Sequence, residues 1–131
     1  AKNAIPAGPR QFSIAADYRG HFTVHPTVRN TRLRMLVDTG ASLVALTDAD
    51  ARSLGLKLRP AEYRIRMSTA NGVIAAAAVH LDELTLGEIT VRRVDAVVMP
   101  AGALETSLLG MSFLKLLSAF EIAAGRLLLK G

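Results

Sequence analysis

Apolar and polar residues alternate along most of this chain in short runs cut by glycine, asparagine and proline, and a period of two belongs to strands half-buried in a sheet. Phe12 to Tyr18 reads as a first strand, and Phe22 to Val28 as a second after the Arg19-Gly20 turn. Leu33, Met35 and Val37 then alternate with Arg34 and Leu36, so a third strand ends in Asp38-Thr39-Gly40. The expected fold class is an all-β domain, mostly antiparallel, with one or two short helices.

Turn chemistry places the hairpins. Tyr63 to Thr69 and Val73 to Leu81 flank Ala70-Asn71-Gly72, and Asn-Gly supplies the positive φ angles that a tight turn needs. A second hairpin joins Leu84-Thr85-Leu86 to Ile89-Thr90-Val91 across Gly87-Glu88, and a last one joins Phe120–Ile122 to Leu127–Leu129 around Ala124-Gly125. Val94 to Met99 reads as a buried strand stopped by Pro100. Thr47, the acids Asp48 and Asp50, and Gly55 frame a short helix over Ala51–Leu54; Ser112 to Leu117 reads as another. No repeat of 20 to 50 residues is visible.

A length of 131 residues fits one domain, read as an extended segment over 1–11 followed by a packed unit over 12–131. The absence of cysteine excludes disulfides, thiolate zinc sites and a thiol nucleophile. The net charge of +5 invites a nucleic-acid reading, but the Arg and Lys clusters are small and the six aromatics fall mainly in core-like runs. No nucleic acid is expected as a partner. His21, His25 and His80 lack the spacing of a metal site, so neither a metal nor a cofactor is expected. No apolar run approaches the ~18 residues of a membrane span. The chain opens at Ala1 without an initiator Met, and an upstream segment removed, ordinary Met processing and a cloning scar all stay open.

The chemistry concentrates at Asp38. The apolar residues Met35, Leu36 and Val37 lead into it, and Gly40 lets the backbone turn sharply and a ligand approach closely. A bare Asp-Thr-Gly also fits an acid that only ends a strand and bonds its own turn. Context adds to the triplet. Leu36-Val37-Asp38-Thr39-Gly40-Ala41-Ser42 resembles the active-site strand and turn of retropepsin-like aspartic proteases. About seventy residues on, Leu108-Leu109-Gly110-Met111-Ser112-Phe113-Leu114 resembles that family's second signature, with the Asn71-Gly72 hairpin standing between them where the family carries its flap. The likeness covers roughly residues 12 to 130 and is greatest to the bacterial, often membrane-anchored branch.

The resemblance implies a retropepsin-like closed β domain, a single pepsin-type lobe. It implies Asp38 as the catalytic carboxylate, Thr39 as a hydroxyl bracing the opposite subunit's loop, and Gly40 as backbone offered to substrate. Ala41 and Gly110 would support the active-site loop, and Ala70, Asn71 and Gly72 would form the flap tip over a bound polypeptide. Many viral members pair an acid with an arginine where this chain has Ser42 and Met111, so their dimer contacts are not carried over. The resemblance also implies an upstream membrane anchor and a catalytic domain in the bacterial cell envelope, at the periplasmic face of the inner membrane.

Hydrolysis by carboxylates requires two of them, one to deprotonate water and one to polarise the scissile carbonyl, whereas this chain has one Asp-Thr-Gly and no Asp-Ser-Gly. A homodimer would supply the second from the partner's copy of the loop. Two acids about 3 Å apart repel by ~5 kcal/mol at an effective dielectric near 20, enough to keep one proton shared over a broad acidic range. With Ala at 41 rather than a hydroxyl donor, the expected optimum is mildly acidic, roughly pH 4 to 6.5. The competing classes are an inactive module that keeps the fold for peptide binding or dimerisation, and a nucleic-acid-binding β domain.

Overall fold

Period-two patterning is realised as strands in two sheets. The computed structural model describes residues 10–70 and 72–131. Nearly all of the segment 1–11, and Asn71 at the hairpin tip, lie outside the described residues. A small sheet has the order β1 (Gln11–Ala15), β12 (Arg126–Lys130), β11 (Ala119–Ala123), with Phe12 and Phe120 both facing Leu129. Its apolar side carries Leu127 and Leu129 into the main core, where both are fully buried.

The large sheet begins with β2 (Thr23–Val24), β5 (Met35–Val37), β10 (Ser107–Leu109) and β6 (Val44–Leu46). It continues through β9 (Ile89–Val98), β8 (Gly72–Leu86), β3 (Thr27–Val28) and β4 (Thr31–Arg32), with β7 (Ile65–Thr69) paired to β8. All three expected hairpins form: Met67 faces Ile74, Leu86 faces Ile89, and Ala123 faces Arg126. Gly87 and Gly125 take positive φ at 60° and 73° in their turns.

Helix α1 (Asp48–Ser53) is capped by Thr47, whose Oγ1 accepts the Asp50 N–H at 3.0 Å, and Gly55 follows it at φ 78°. Helix α2 (Met111–Leu114) starts one residue earlier and ends sooner than the expected Ser112–Leu117. Its Phe113 and Leu114 are fully buried in the core.

Two expectations are corrected. The first strand stops at Ala15 rather than Tyr18, because Asp17 Oδ1 accepts the N–H groups of Arg19 and His21 and turns the chain. The run from Phe22 to Val28 is two strands, interrupted at His25-Pro26, where proline has no N–H to give a ladder. The pairing is mostly antiparallel, as expected, and two pairs are parallel, β5 with β10 and β6 with β9, flanking the antiparallel pair of β10 with β6. The short strands β6 and β10 went unread, since three apolar-rich residues carry too little period to show.

The run of alanines has a specific place. Ala76 and Ala77 are fully buried, on adjacent and therefore opposite faces of β8, the first in a small apolar cluster under the β7–β8 hairpin and the second in the main core. Ala75 and Ala78 are exposed. Small side chains let one strand be enclosed on both faces where it passes from the hairpin into the large sheet.

Candidate active site

Strand β5 lies between β2 and β10, and delivers Asp38 at its carboxyl end. The Asp38 N–H donates to the Leu109 carbonyl at 3.1 Å, continuing the parallel pairing by one bond. The chain then folds back on itself. Asp38 Oδ1 accepts the Gly40 N–H at 2.9 Å, and the Asp38 carbonyl accepts the Ala41 N–H at 3.2 Å. This is the local turn that a strand-ending acid would make in any case, and it leaves Asp38 half-buried with Thr39 and Gly40 exposed. A Cβ at residue 40 would stand 3.2 Å from Asp38 Oδ1, so glycine keeps the space beside the carboxylate clear.

Gly110 sits directly against this loop. A Cβ there would be 2.3 Å from the Leu43 carbonyl oxygen and 2.7 Å from that of Ala41, which no side chain can occupy. The following Met111 N–H donates to the Ala41 carbonyl at 2.8 Å. Thus the turn carrying Asp38, Gly40 and Ala41 meets Gly110, which is distant in sequence, in one hydrogen-bonded crossing.

Two buried serines, whose roles the sequence did not disclose, hold that crossing. Ser112 Oγ accepts the Val44 N–H at 2.8 Å and donates to the Asp95 carbonyl at 2.6 Å, tying α2 to the strands on either side. Ser107 Oγ accepts the Thr47 N–H at 3.0 Å and donates to the Asp50 carboxylate, tying β10 to the start of α1. Their one legible signal is a hydroxyl set among leucines and phenylalanine, since a buried hydroxyl must find partners. Ser42 is exposed, and Met111 packs on the main core.

The β7–β8 hairpin brings Ala70 and Gly72 to its exposed end, with Gly72 at φ 111° and its carbonyl accepting the Thr69 hydroxyl at 2.8 Å. On its inner face Ile65 opposes Ala76 and Met67 opposes Ile74. These four join Leu43 and Leu108 in one apolar cluster. Because Leu43 follows the Asp38 turn and Leu108 precedes Gly110, the hairpin and the acid share a hydrophobic floor. Among the described residues, no three His, Asp or Glu side chains gather into a metal-binding group.

A family model described as "gag-polyprotein putative aspartyl protease" matches residues 24–116, which include the β5 turn, the hairpin and the Gly110 crossing. The chain belongs to the retropepsin-like aspartic protease family. It is similar to the crystal structure of a retropepsin-like aspartic protease from Rickettsia conorii, with a TM-score of 0.81 and 36% identity, covering 91% of this chain and 98% of that one. A protease of EIAV, solved with an inhibitor, shares the fold at a TM-score of 0.67 and 18% identity, over 84% of this chain and all of that one. An uncharacterized protein of Sinorhizobium sp. from the cobV 5′ region is 40% identical over 123 residues, 94% of this chain and 53% of that protein. The chain spans about half the length of the curated relatives it matches. No helix among the described residues of this retropepsin-like chain is long and apolar enough to cross a membrane.

Proposed function

We propose that this chain is one subunit of an aspartic endopeptidase whose reactive pair is Asp38 from each of two copies. The observation that carries the reading is the bracing of a single Asp38-Thr39-Gly40 turn against Gly110, beneath a hairpin that shares its apolar floor. A fixed backbone on each side of a two-fold axis is what two identical loops need to hold their acids together.

In this mechanism one Asp38 is ionised and the other protonated. The ionised carboxylate takes a proton from a water, whose oxygen bonds to the scissile carbonyl carbon while the protonated partner donates a hydrogen bond to the carbonyl oxygen. The tetrahedral intermediate collapses as the C–N bond breaks, and the amine leaves with a proton from the dyad. Thr39 braces the partner's loop, Gly40 presents backbone to the substrate, and Ala41 and Gly110 keep the loop in place. An extended polypeptide lies beneath the hairpin, with Ala70, Asn71 and Gly72 as the closing tip. An anchor elsewhere in the protein and a location in the bacterial cell envelope belong to the same proposal and rest on the family resemblance.

The test is incubation of an unfolded protein with wild type and with Asp38→Asn between about pH 4 and 6.5, followed by mass spectrometry of the products. Wild type is expected to cut internally, and Asp38→Asn to lose at least about a thousandfold of that rate while keeping its circular dichroism spectrum. Cleavage that persists in Asp38→Asn overturns the assignment, and a folded wild type that never cuts favours the inactive binding module.

A further inference from the structure

Helix α1 ends in a turn closed by two backbone bonds. Gly55, at φ 78°, donates its N–H to the Arg52 carbonyl at 2.9 Å, and the Leu56 N–H returns to the Ala51 carbonyl at 3.0 Å. Leu56 to Tyr63 then lead to the root of the hairpin, where β7 begins at Ile65. A reciprocal pair of bonds fixes the far end of this stretch: Glu62 Oε2 accepts the Arg59 N–H at 2.7 Å, and the Glu62 N–H donates to the Arg59 carbonyl at 2.9 Å. Between the helix and this braced segment lies a cavity of about 260 Å³. That is slightly below the range of sites for drug-sized ligands, so it suits a small guest.

The floor of the cavity is apolar. Ala51 is buried, and Leu56, Leu58 and Tyr63 are half-buried against the main core. None of them belongs to the cluster under the hairpin that also borders the Asp38 turn, so this cavity is separate from the cleft proposed for polypeptide. The charges in its lining are unequal. Asp48 is engaged by Arg52 at 3.0 Å, whereas the exposed Lys57 pairs with no acid among the described residues. We propose that this cavity is a site for a small amphiphilic monocarboxylate, with its apolar tail on Leu56, Leu58 and Tyr63 and its carboxylate at the Lys57 ammonium. A cation there would be repelled, and a guest without an apolar tail would leave the floor uncovered. Tyr63 offers a flat ring to an aromatic tail. The inference does not depend on proteolysis.

The test titrates the wild-type chain with 3-phenylpropionate, its alcohol 3-phenylpropan-1-ol, its amine 3-phenylpropylammonium, and acetate, and follows the methyl resonances of Ala51, Leu56 and Leu58. The carboxylate is expected to saturate and to move those methyls before any others. The alcohol should bind about twofold to fivefold more weakly, and acetate and the ammonium compound at least about tenfold more weakly. Lys57→Gln, a change at an exposed side chain, should bring the carboxylate down to the affinity of the alcohol and leave the alcohol unchanged. Lys57→Glu should place the carboxylate below the alcohol. N-acetylphenylalanine separates a free acid from the carboxyl end of a peptide, and it should bind more weakly, because its amide would lose water without a partner on the apolar floor. Titration without saturation, equal affinities for carboxylate and alcohol, first shifts outside the three methyls, or a preference undiminished in Lys57→Gln overturns the site. Tighter binding of N-acetylphenylalanine overturns the assignment to a free acid.

Discussion

The proposed pairing of Asp38 with its own symmetry mate needs a backbone that does not wander, and Asp38 has one: its N–H and its C=O are engaged on either side of the side chain. One carboxylate oxygen accepts the Gly40 N–H, so a further donor beside it would favour the ionised form. Ala41, held by the hydrogen bond of its N–H to the Asp38 carbonyl, offers none. We propose that a hydroxyl at residue 41 would supply that donor. In Ala41→Ser the acid limb of the pH–rate profile is expected to move toward lower pH, checked by kcat/KM measured across about pH 3 to 7. An unmoved limb would show that the residue at 41 does not tune the dyad.

At the scale of elements, the site is a crossing between the turn after β5 and the start of α2, and its tolerance is small. A methyl group at Gly110 would press on two backbone carbonyls that have nowhere to go, since both belong to the loop carrying Asp38. Gly110→Ala is expected to cost about 3 kcal/mol or more of stability, read from the urea midpoint, with activity falling further than stability explains. The serine in α2 acts by a different route. Ser112→Ala would leave the buried Val44 N–H without its partner, an expected loss of about 1–3 kcal/mol in the same measurement. Ser112→Thr, which keeps a hydroxyl, should recover part of it, and a threonine variant no more stable than the alanine one would count against the hydroxyl as the source of the effect.

At the scale of the whole molecule, the proposed enzyme is complete only as a pair. Wild type mixed with an equal amount of Asp38→Asn and allowed to exchange subunits should retain about a quarter of its activity per total protein, because about a quarter of randomly formed dimers carry two Asp38. A site that needed one subunit would retain about half. Specific activity should also fall on dilution, as dimers dissociate.

The longer strands, the hairpins at Asn71-Gly72, Gly87 and Ala124-Gly125, and the capped helix after Thr47 were legible because each is decided by period and turn chemistry within about ten residues. So was the single Asp-Thr-Gly on which the proposed half-site rests, since it is a count. The sequence left undetermined which strands would lie parallel, because alternation has no direction: β5 and β10 pair across seventy residues of intervening chain. The Gly110 contact and the two serine ties were decided only by tertiary structure. Each arises where segments distant in sequence compete for the same space, and that competition is settled by packing rather than by any local preference.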